Sequence, residues 1–282
     1  MTEYVTNIPV EKLKPFPNHP FQVRDDDSMR ETVESIKTYG VLQPAIVRPS
    51  HDGNYEILSG HRRKRACEVA GRKTIPAIVR ELDDDAAIIF MVDSNLQREN
   101  ILPSERAAAY KMKMEALKRQ AGRPLKNSPQ VAANFRADDA VAKEADVSGD
   151  TVRRYIRLTE LQPELQQMVD DKKIAFTPAV EISYLKPDEQ KMLLDTIESE
   201  QATPSLSQAQ RLKKLSQSGE LNDDAMLRIM SEQKKSERND LTIPADVLEK
   251  YFPRSFTPMK MQEVIIKLLE SWQRKRQQSH ER

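Results

Sequence analysis

The segment with the clearest chemistry is a run of cations that follows a glycine. Residues 55–58 are typical of a short strand, Gly60 follows them, and a helix predicted from His61 begins with Arg62 and Arg63. A helix N-terminus carries partial positive charge and unpaired N–H groups, so clustered cations are unfavourable there unless an anion is bound. Gly60 lets the backbone approach such an anion, and the amides and arginines can hold phosphate oxygens. The segment predicts a phosphate-binding site; a solvated basic helix face is the alternative.

The elements that must position this segment are predicted from hydrophobic spacing and helix-ending residues. They are strands over 45–48 and 55–58 and helices over 29–39 and 61–70. A turn at 51–54 joins the strands, and Gly40 and Gly71 end the helices. Residues 1–102 are therefore predicted to form a small α/β domain.

The rest of the chain is predicted to be helical. Residues 103–215 divide into several helices, residues 216–240 are polar like a linker, and residues 241–282 form a small C-terminal helical unit. The predicted fold class is α+β and mainly helical.

Composition excludes several classes of protein. The chain has 45 Lys and Arg against 44 Asp and Glu, so attraction to nucleic acid must come from local basic patches. The single Cys67 and a start without signal-peptide features predict a reducing cytoplasm. No apolar run has the length that spans a bilayer, which excludes a membrane protein. No two glycines have the spacing of a dinucleotide-binding or P-loop motif.

A second constellation predicts a helix-turn-helix. A helix over 139–144 is followed by a turn at 146–147, and Ser148 caps a second helix that runs to Leu158. The exposed face of this second helix carries the candidate DNA-binding residues Ser148, Asp150, Thr151, Arg153, Arg154 and Arg157. Arginine can bind guanine in the major groove, and threonine can bind a base or a phosphate. An amphipathic helical hairpin with a solvated face is the alternative.

Positive charge also concentrates just before this motif. The cations are Lys111, Lys113, Lys118, Arg119, Arg123 and Lys126. Such a patch suits contacts to DNA phosphates that do not read sequence, and it suits a solvated helix face equally well.

Three further segments complete a recognisable order. They are NHPFQVR at 18–24, GVLQP at 40–44 and SNLQRE at 94–99. Together with the arginine-rich helix start, they resemble the ParB-like partition proteins over residues 7 to about 215. The resemblance implies a ParB/sulfiredoxin-like N-terminal domain that binds CTP with Mg²⁺ and a helix-turn-helix domain that binds a palindromic centromere-like site in double-stranded DNA. It further implies a C-terminal dimerisation unit.

The resemblance also implies roles for particular residues. The nucleotide would contact Gln22, Arg24, Gly40, Gln43, Pro44, Gly60, His61, Arg62, Arg63, Asn95, Gln97 and Arg98. Asn95 would also hold Mg²⁺, and Gln22 is the candidate for a part in CTP hydrolysis. By the same resemblance the protein is a nucleoid-associated homodimer that closes into a sliding DNA clamp and acts with a ParA-like ATPase.

Two positions depart from the family pattern. His61 and Ser94 stand where the family usually has glutamate, so a carboxylate that could orient Mg²⁺ or polarise water is missing twice. Nucleotide binding can survive this loss while hydrolysis fails, and His61 could instead bond the backbone at the helix start. A helix-turn-helix repressor of a plasmid or mobile element, without a working nucleotide switch, is therefore the alternative function.

An enzyme of the sulfiredoxin type is a third reading. Sulfiredoxin carries a cysteine before its His-Arg pair, whereas this chain has Gly60 before His61 and Arg62. Cys67 lies further along the helix, where packing is expected, so the sequence disfavours thiol chemistry.

The C-terminal unit carries an apolar stripe on one predicted helix. Its members are Met261, Val264, Ile265, Leu268, Leu269 and Trp272. A unit this small cannot easily bury such a stripe, so pairing with a second copy is one expectation and docking on preceding helices of the same chain is the other.

Overall fold

The computed structural model describes residues 5–50, 52–98, 101–122, 137–232, 248, 251–253 and 256–280. The chain divides into two compact units, residues 1–232 and residues 233–282. None of the helices in these described ranges is long and apolar enough to cross a membrane.

A five-stranded mixed sheet forms the N-terminal part of the first unit. Its strands are β1 (Val5–Pro9), β2 (Leu13–Pro15), β3 (Ala45–Pro49), β4 (Tyr55–Ser59) and β5 (Thr74–Val79), in the order β1-β5-β3-β4-β2. The predicted hairpin is confirmed, because β3 pairs antiparallel with β4 and Val47 lies opposite Ile57. Strand β3 also pairs parallel with β5, which places it at the centre of the sheet.

Three helices accompany the sheet, and the two that were predicted are confirmed. They are α1 (Asp27–Tyr39), α2 (His61–Val69) and α3 (Asp84–Leu96). Asp26 caps α1 by accepting the N–H of Met29, and Gly40 ends it at a φ of 73°. Helices α1 and α2 bury apolar side chains such as Val33 and Cys67 in one core with the central strands. This core fixes the position at which β4 passes into α2.

The remainder of the first unit is helical. Its helices are α4 (Pro103–Gly122), α5 (Ala137–Glu144), α6 (Gly149–Arg157), α7 (Pro163–Asp170), α8 (Phe176–Ile182), α9 (Pro187–Glu200), α10 (Leu206–Ser218) and α11 (Asp223–Met230). Short 3-10 helices occur at Val10–Lys12 and Leu158–Glu160. Leu165, Ile182 and Leu212 are fully buried at the centre of a large core among these helices.

The structure differs from the linker predicted over 216–240. Helix α10 runs to Ser218, and α11 buries Met226 and Ile229 in the large helical core. Residues 233–240 of the predicted linker lie outside the described residues. The polar composition of this stretch is misleading because a helix of two turns needs only one narrow apolar face to pack.

The second unit contains one long helix, α12 (Pro258–His280). Leu268 and Leu269 of the predicted stripe are exposed, at 61% and 58% of their surface, and the Trp272 side chain lies outside the described residues. Pairing of this helix with a second copy stays a prediction.

Candidate functional site

The passage from β4 into α2 depends on a glycine. Gly60 has φ 109° and ψ 20°, a left-handed conformation that L side chains rarely adopt. A Cβ at this position would lie 3.1 Å from the Cβ of Ala45 and 3.2 Å from its Cα, and Ala45 is fully buried on β3. Within residues 60–64 the start of α2 has neither a capping side-chain hydrogen bond nor an acidic residue. Among the described residues, no side chain therefore caps the N–H groups at the start of α2.

Arg63 joins this helix start to the loop before β3. Its Nη1 donates to the carbonyl oxygens of Gln43 at 2.7 Å and of Pro44 at 2.5 Å. Burial lowers the pKa of Arg63, and the nearby positive charge of Arg98 lowers it further. Arg63 therefore holds the predicted nucleotide loop in place, while its charge stays only partly compensated.

Arg62 and Arg98 add two more cations to the same place. The Nη2 of Arg62 donates to Asp26 Oδ1 at 3.3 Å and to Ser28 Oγ at 3.1 Å. Burial lowers the pKa of Arg98, the charge of Arg62 lowers it further, and Glu105 opposes both effects. The structure thus brings the third predicted segment beside the arginine-rich helix start, as an anion site requires.

Two buried histidines lie beside these arginines. The ring centroids of His19 and His61 are 3.7 Å apart and the rings are tilted by 34°. His61 is only 7% exposed, and its Nδ1 and Nε2, like the Nε2 of His19, have no hydrogen-bond partner among the described residues. Burial lowers the pKa of His61 to about 3 and that of His19 to about 4, and the charge of Arg98 lowers both further. Both rings are neutral at pH 7, and neither nitrogen of His61 bonds the backbone at the helix start.

Asn95 is the predicted Mg²⁺ ligand. Its side chain is fully buried, and Nδ2 donates to the carbonyl oxygen of Met91 at 2.7 Å, while Oδ1 has no partner among the described residues. Ser94, which stands in a usual glutamate position, is exposed and donates to the same carbonyl oxygen at 3.0 Å. The described residues contain no group of three His, Cys, Asp or Glu side chains suited to a metal.

Mg²⁺ is bound in proteins through one or two carboxylates together with substrate phosphates and water. One neutral amide oxygen does not make such a site, so the described residues fit a phosphate group and do not fit a metal held by the protein.

The remaining predicted nucleotide residues lie on loops around this cluster. Gln22, Arg24, Gln43 and Gln97 have exposed side chains. The backbone N–H of Gln22 donates to Glu105 Oε1 at 2.9 Å, and Glu105 Oε2 accepts the N–H of Leu102 at 3.2 Å. Gln22 as a hydrolytic residue stays a prediction.

The sequence reasoning missed His19 and Glu105. The motif NHPFQVR contains His19, but nothing in it indicates a partner ring on α2.

Cys67 lies in the core of the α/β part. It is fully buried, and burial raises the pKa of its thiol. A reactive cysteine needs an accessible thiolate, so its surroundings suit packing and not redox chemistry.

The predicted helix-turn-helix is formed by α5 and α6. The Oγ of Ser148 accepts the N–H of Thr151 at 3.1 Å and so caps α6, and Val152 is fully buried between the helices. Asp146 in the turn has a φ of 52°. This left-handed backbone is one that glycine adopts readily and that aspartate visits more often than most other residues.

The arginines of α6 divide into two groups. Arg154 donates to Thr177 Oγ1 at 3.1 Å, and Arg157 donates to the carbonyl oxygen of Ser183 and stacks 4.1 Å above the Tyr184 ring. These two side chains fasten α6 to the region of α8. Arg153 instead is exposed and pairs with Asp138 of α5. The exposed candidates of α6 therefore concentrate at its N-terminal end: Ser148, Asp150 and Arg153, with Thr151 half-buried beside them.

Two cations of the predicted patch are paired with carboxylates of α3, and the rest of the patch stays a prediction. Lys113 is fully buried and pairs with Asp93 of α3, and Arg119 Nε lies 2.7 Å from Asp85 Oδ1. Lys113 belongs neither to a phosphate-contacting patch nor to a solvated face, because its ion pair with Asp93 joins α4 to α3. Arg123 and Lys126 lie outside the described residues.

Two family models match this chain, one over the α/β part and one over the region that contains α5 and α6. The ParB N-terminal domain matches residues 1–96, and the ParB HTH domain matches residues 130–215. The chain belongs to the ParB family. The first matched segment contains His19, His61, Arg62 and Arg63, and the second contains the α5–α6 motif.

Relatives of this ParB-family chain include partition proteins. It is 31% identical over 185 residues to the chromosome-partitioning protein Spo0J of Thermus thermophilus, covering 66% of this chain and 62% of that one. It is 30% identical to the nucleoid occlusion protein of Halalkalibacterium halodurans, covering 70% of this chain and 64% of that one. The chain thus spans somewhat under two thirds of the length of these curated relatives.

One solved structure that it resembles is a C-terminally truncated ParB from Caulobacter crescentus complexed with CTP-gamma-S. The identity is 30%, the match covers 67% of this chain and 96% of that one, and the TM-score is 0.32.

Proposed function

We propose that this chain is a DNA-binding partition protein that uses CTP to close into a sliding clamp. In this proposal α5 and α6 bind a palindromic centromere-like site in double-stranded DNA, and the start of α2 binds the phosphates of CTP. The protein acts as a nucleoid-associated homodimer with a ParA-like ATPase. The order of the two matched segments supports the proposal.

The observation that carries the nucleotide part is the convergence of Arg62, Arg63 and Arg98 on an uncapped helix start. Burial lowers the pKa of both Arg63 and Arg98; the charge of Arg98 lowers the pKa of Arg63 further, and the charge of Arg62 lowers that of Arg98. Arg63 and Arg98 therefore lie where further positive charge is unfavourable. A triphosphate supplies the missing negative charge and accepts the free N–H groups of α2. Arg62 is the side chain best able to turn to it, because its bond to Asp26 is long and partly exposed.

The DNA part depends on the N-terminal end of α6. Ser148, Thr151 and Arg153 lie at this end, and the positive end of the helix dipole favours a nearby phosphate. Arg154 and Arg157 would act indirectly, by holding α6 at a fixed angle on the helical core.

The nucleotide part is tested by equilibrium binding of CTP, ATP and GTP to the intact protein, with Mg²⁺ and with duplex DNA pools. We expect selective CTP binding that Arg62→Ala weakens at least about tenfold, since a charge-assisted contact to phosphate is lost. Arg65→Ala is the matched control. It removes an arginine from the same helix that is also paired with an aspartate, Asp25, and should leave CTP affinity unchanged. Equal effects of the two changes would contradict the assigned site.

A repressor without a nucleotide switch is the second candidate function. The observation that favours it is the missing carboxylate at His61 and Ser94, together with the burial of Asn95, whose amide donates to Met91 and Ser94. Footprinting with and without CTP separates the two functions. A clamp spreads from its site when CTP is present, and a repressor protects the same base pairs under both conditions.

A further inference from the structure

The His19 and His61 rings stack against each other, and His19 also bonds the backbone at Phe21. Three ring nitrogens of the pair are buried and have no hydrogen-bond partner among the described residues. His61 is more than nine-tenths buried and stands at the first position of α2, beside Gly60. Polar atoms in such a place normally find a partner, so their lack of one indicates a ligand.

The charges around the pair define which ligand suits it. The charged groups that act on the rings are Arg98, which follows α3, and Lys64 on α2. Arg62 lies next to Arg98 and pairs with Asp26 at 3.3 Å, and the carboxylate of Glu105 on α4 also acts on Arg98. The cations oppose a positive charge on either ring. An anion beside the rings reverses this balance.

We propose that His19 and His61 belong to the phosphate site and that the pair takes up one proton from solvent when a nucleotide binds. This inference rests on the proposed function, since it concerns the same site. The added proton turns a ring nitrogen into an N–H donor to a phosphate oxygen, and no covalent bond changes. Histidine thereby takes the place of the family's glutamate with the opposite charge preference.

The sign of the pH effect follows from linkage. The pKa values of about 3 and about 4 keep both rings neutral in the free protein at pH 7. A bound phosphate raises them, so the complex holds more protons than the free protein. CTP therefore binds more tightly as the pH falls, by up to about tenfold per pH unit for one proton.

Calorimetric titration of CTP into the full-length protein tests this. Titrations at pH 7.5 and pH 6.0, each in buffers of different ionisation enthalpy, give the number of protons taken up. The same titrations on His61→Gln and His19→Gln subtract the protonation of CTP itself, and His51→Gln is the matched histidine control. We expect the wild type and His51→Gln to gain about fivefold more in affinity between pH 7.5 and 6.0 than His61→Gln does.

The outcomes separate this inference from the proposed function. Equal proton uptake by the wild type and both pair variants, with CTP still bound, overturns the inference alone. If one pair variant does not fold, the other still supplies the subtraction, and equal proton uptake by that variant and the wild type at pH 7.5 and pH 6.0 overturns the inference. Failure of the wild type to bind any nucleotide at either pH overturns both.

Discussion

The arginines of α2 and those of α6 look alike in the sequence and differ in the structure. On α6, Arg154 and Arg157 find hydroxyl, carbonyl and aromatic partners within the helical core. On α2, Arg62 and Arg63 lie beside Arg98 and two neutral histidines, and the nearest carboxylates compensate them only in part. The difference shows that the partners of basic residues in the structure indicate an anion site. The number of basic residues that stand close together in the sequence does not.

The largest effect is expected where the backbone of the α2 site is fixed. Gly60→Val adds a branched side chain at a left-handed φ and against Ala45, so the free energy of unfolding should fall by about 4 kcal/mol. Urea denaturation of the intact protein measures this. Gly53→Ala is the control, because Gly53 also has a positive φ but no other described atom within 4 Å of an added Cβ. A similar cost at both positions would mean that the approach to Ala45 does not matter.

A smaller effect sharpens the contrast between the two helices. Arg157→Ala removes the donor to the Ser183 carbonyl and the stacking on Tyr184, and should lower the free energy of unfolding by about 2 kcal/mol. Arg62→Ala, whose partners are Asp26 and Ser28, should cost less than about 1 kcal/mol. If Arg62→Ala lowered the free energy of unfolding as much as Arg157→Ala, the proposed difference between the arginines of the two helices would be wrong.

The smallest expected effect is the pH dependence of the histidine pair. Both histidines have lowered pKa values in the folded protein, so the unfolded chain binds more protons between about pH 6.5 and pH 4. Stability should therefore fall as the pH decreases below about 6.5. Between pH 7.5 and 5.5 the wild type should lose about 1.4 kcal/mol more than the single variant His61→Gln. If urea denaturation shows the same loss in the free energy of unfolding for both proteins between these pH values, the His61 ring is not buried in its neutral form.

Local patterns predicted much of this molecule. The β3–β4 hairpin, α1, α2 and the cap at Ser148 follow from glycines, alternation and capping residues within a few positions of each other. Such features depend on neighbours in the chain, which a sequence displays directly. The phosphate site at Gly60 stays a prediction, and the structure adds that Arg98 lies near Arg62 and Arg63.

The parts that were missed depend on partners far away in the chain. Lys113 looks like a surface cation, yet it is buried because Asp93 of another helix neutralises it. The His19–His61 stack and the packing of α11 on the large core have the same origin. Spacing along the chain cannot show which side chains the fold brings together.

Glu105 connects two segments that are far apart in the sequence. Its carboxylate accepts the N–H of Gln22, 83 residues earlier in the chain, and also the N–H of Leu102 at the start of its own helix. The chain between these points folds into α1–α3 and β3–β5, so the two hydrogen bonds join parts of the structure that are far apart in the sequence. One side chain therefore ties the NHPFQVR segment to the helix that leads to the DNA-binding region, so the two domains share an anchor although their sequences are separate.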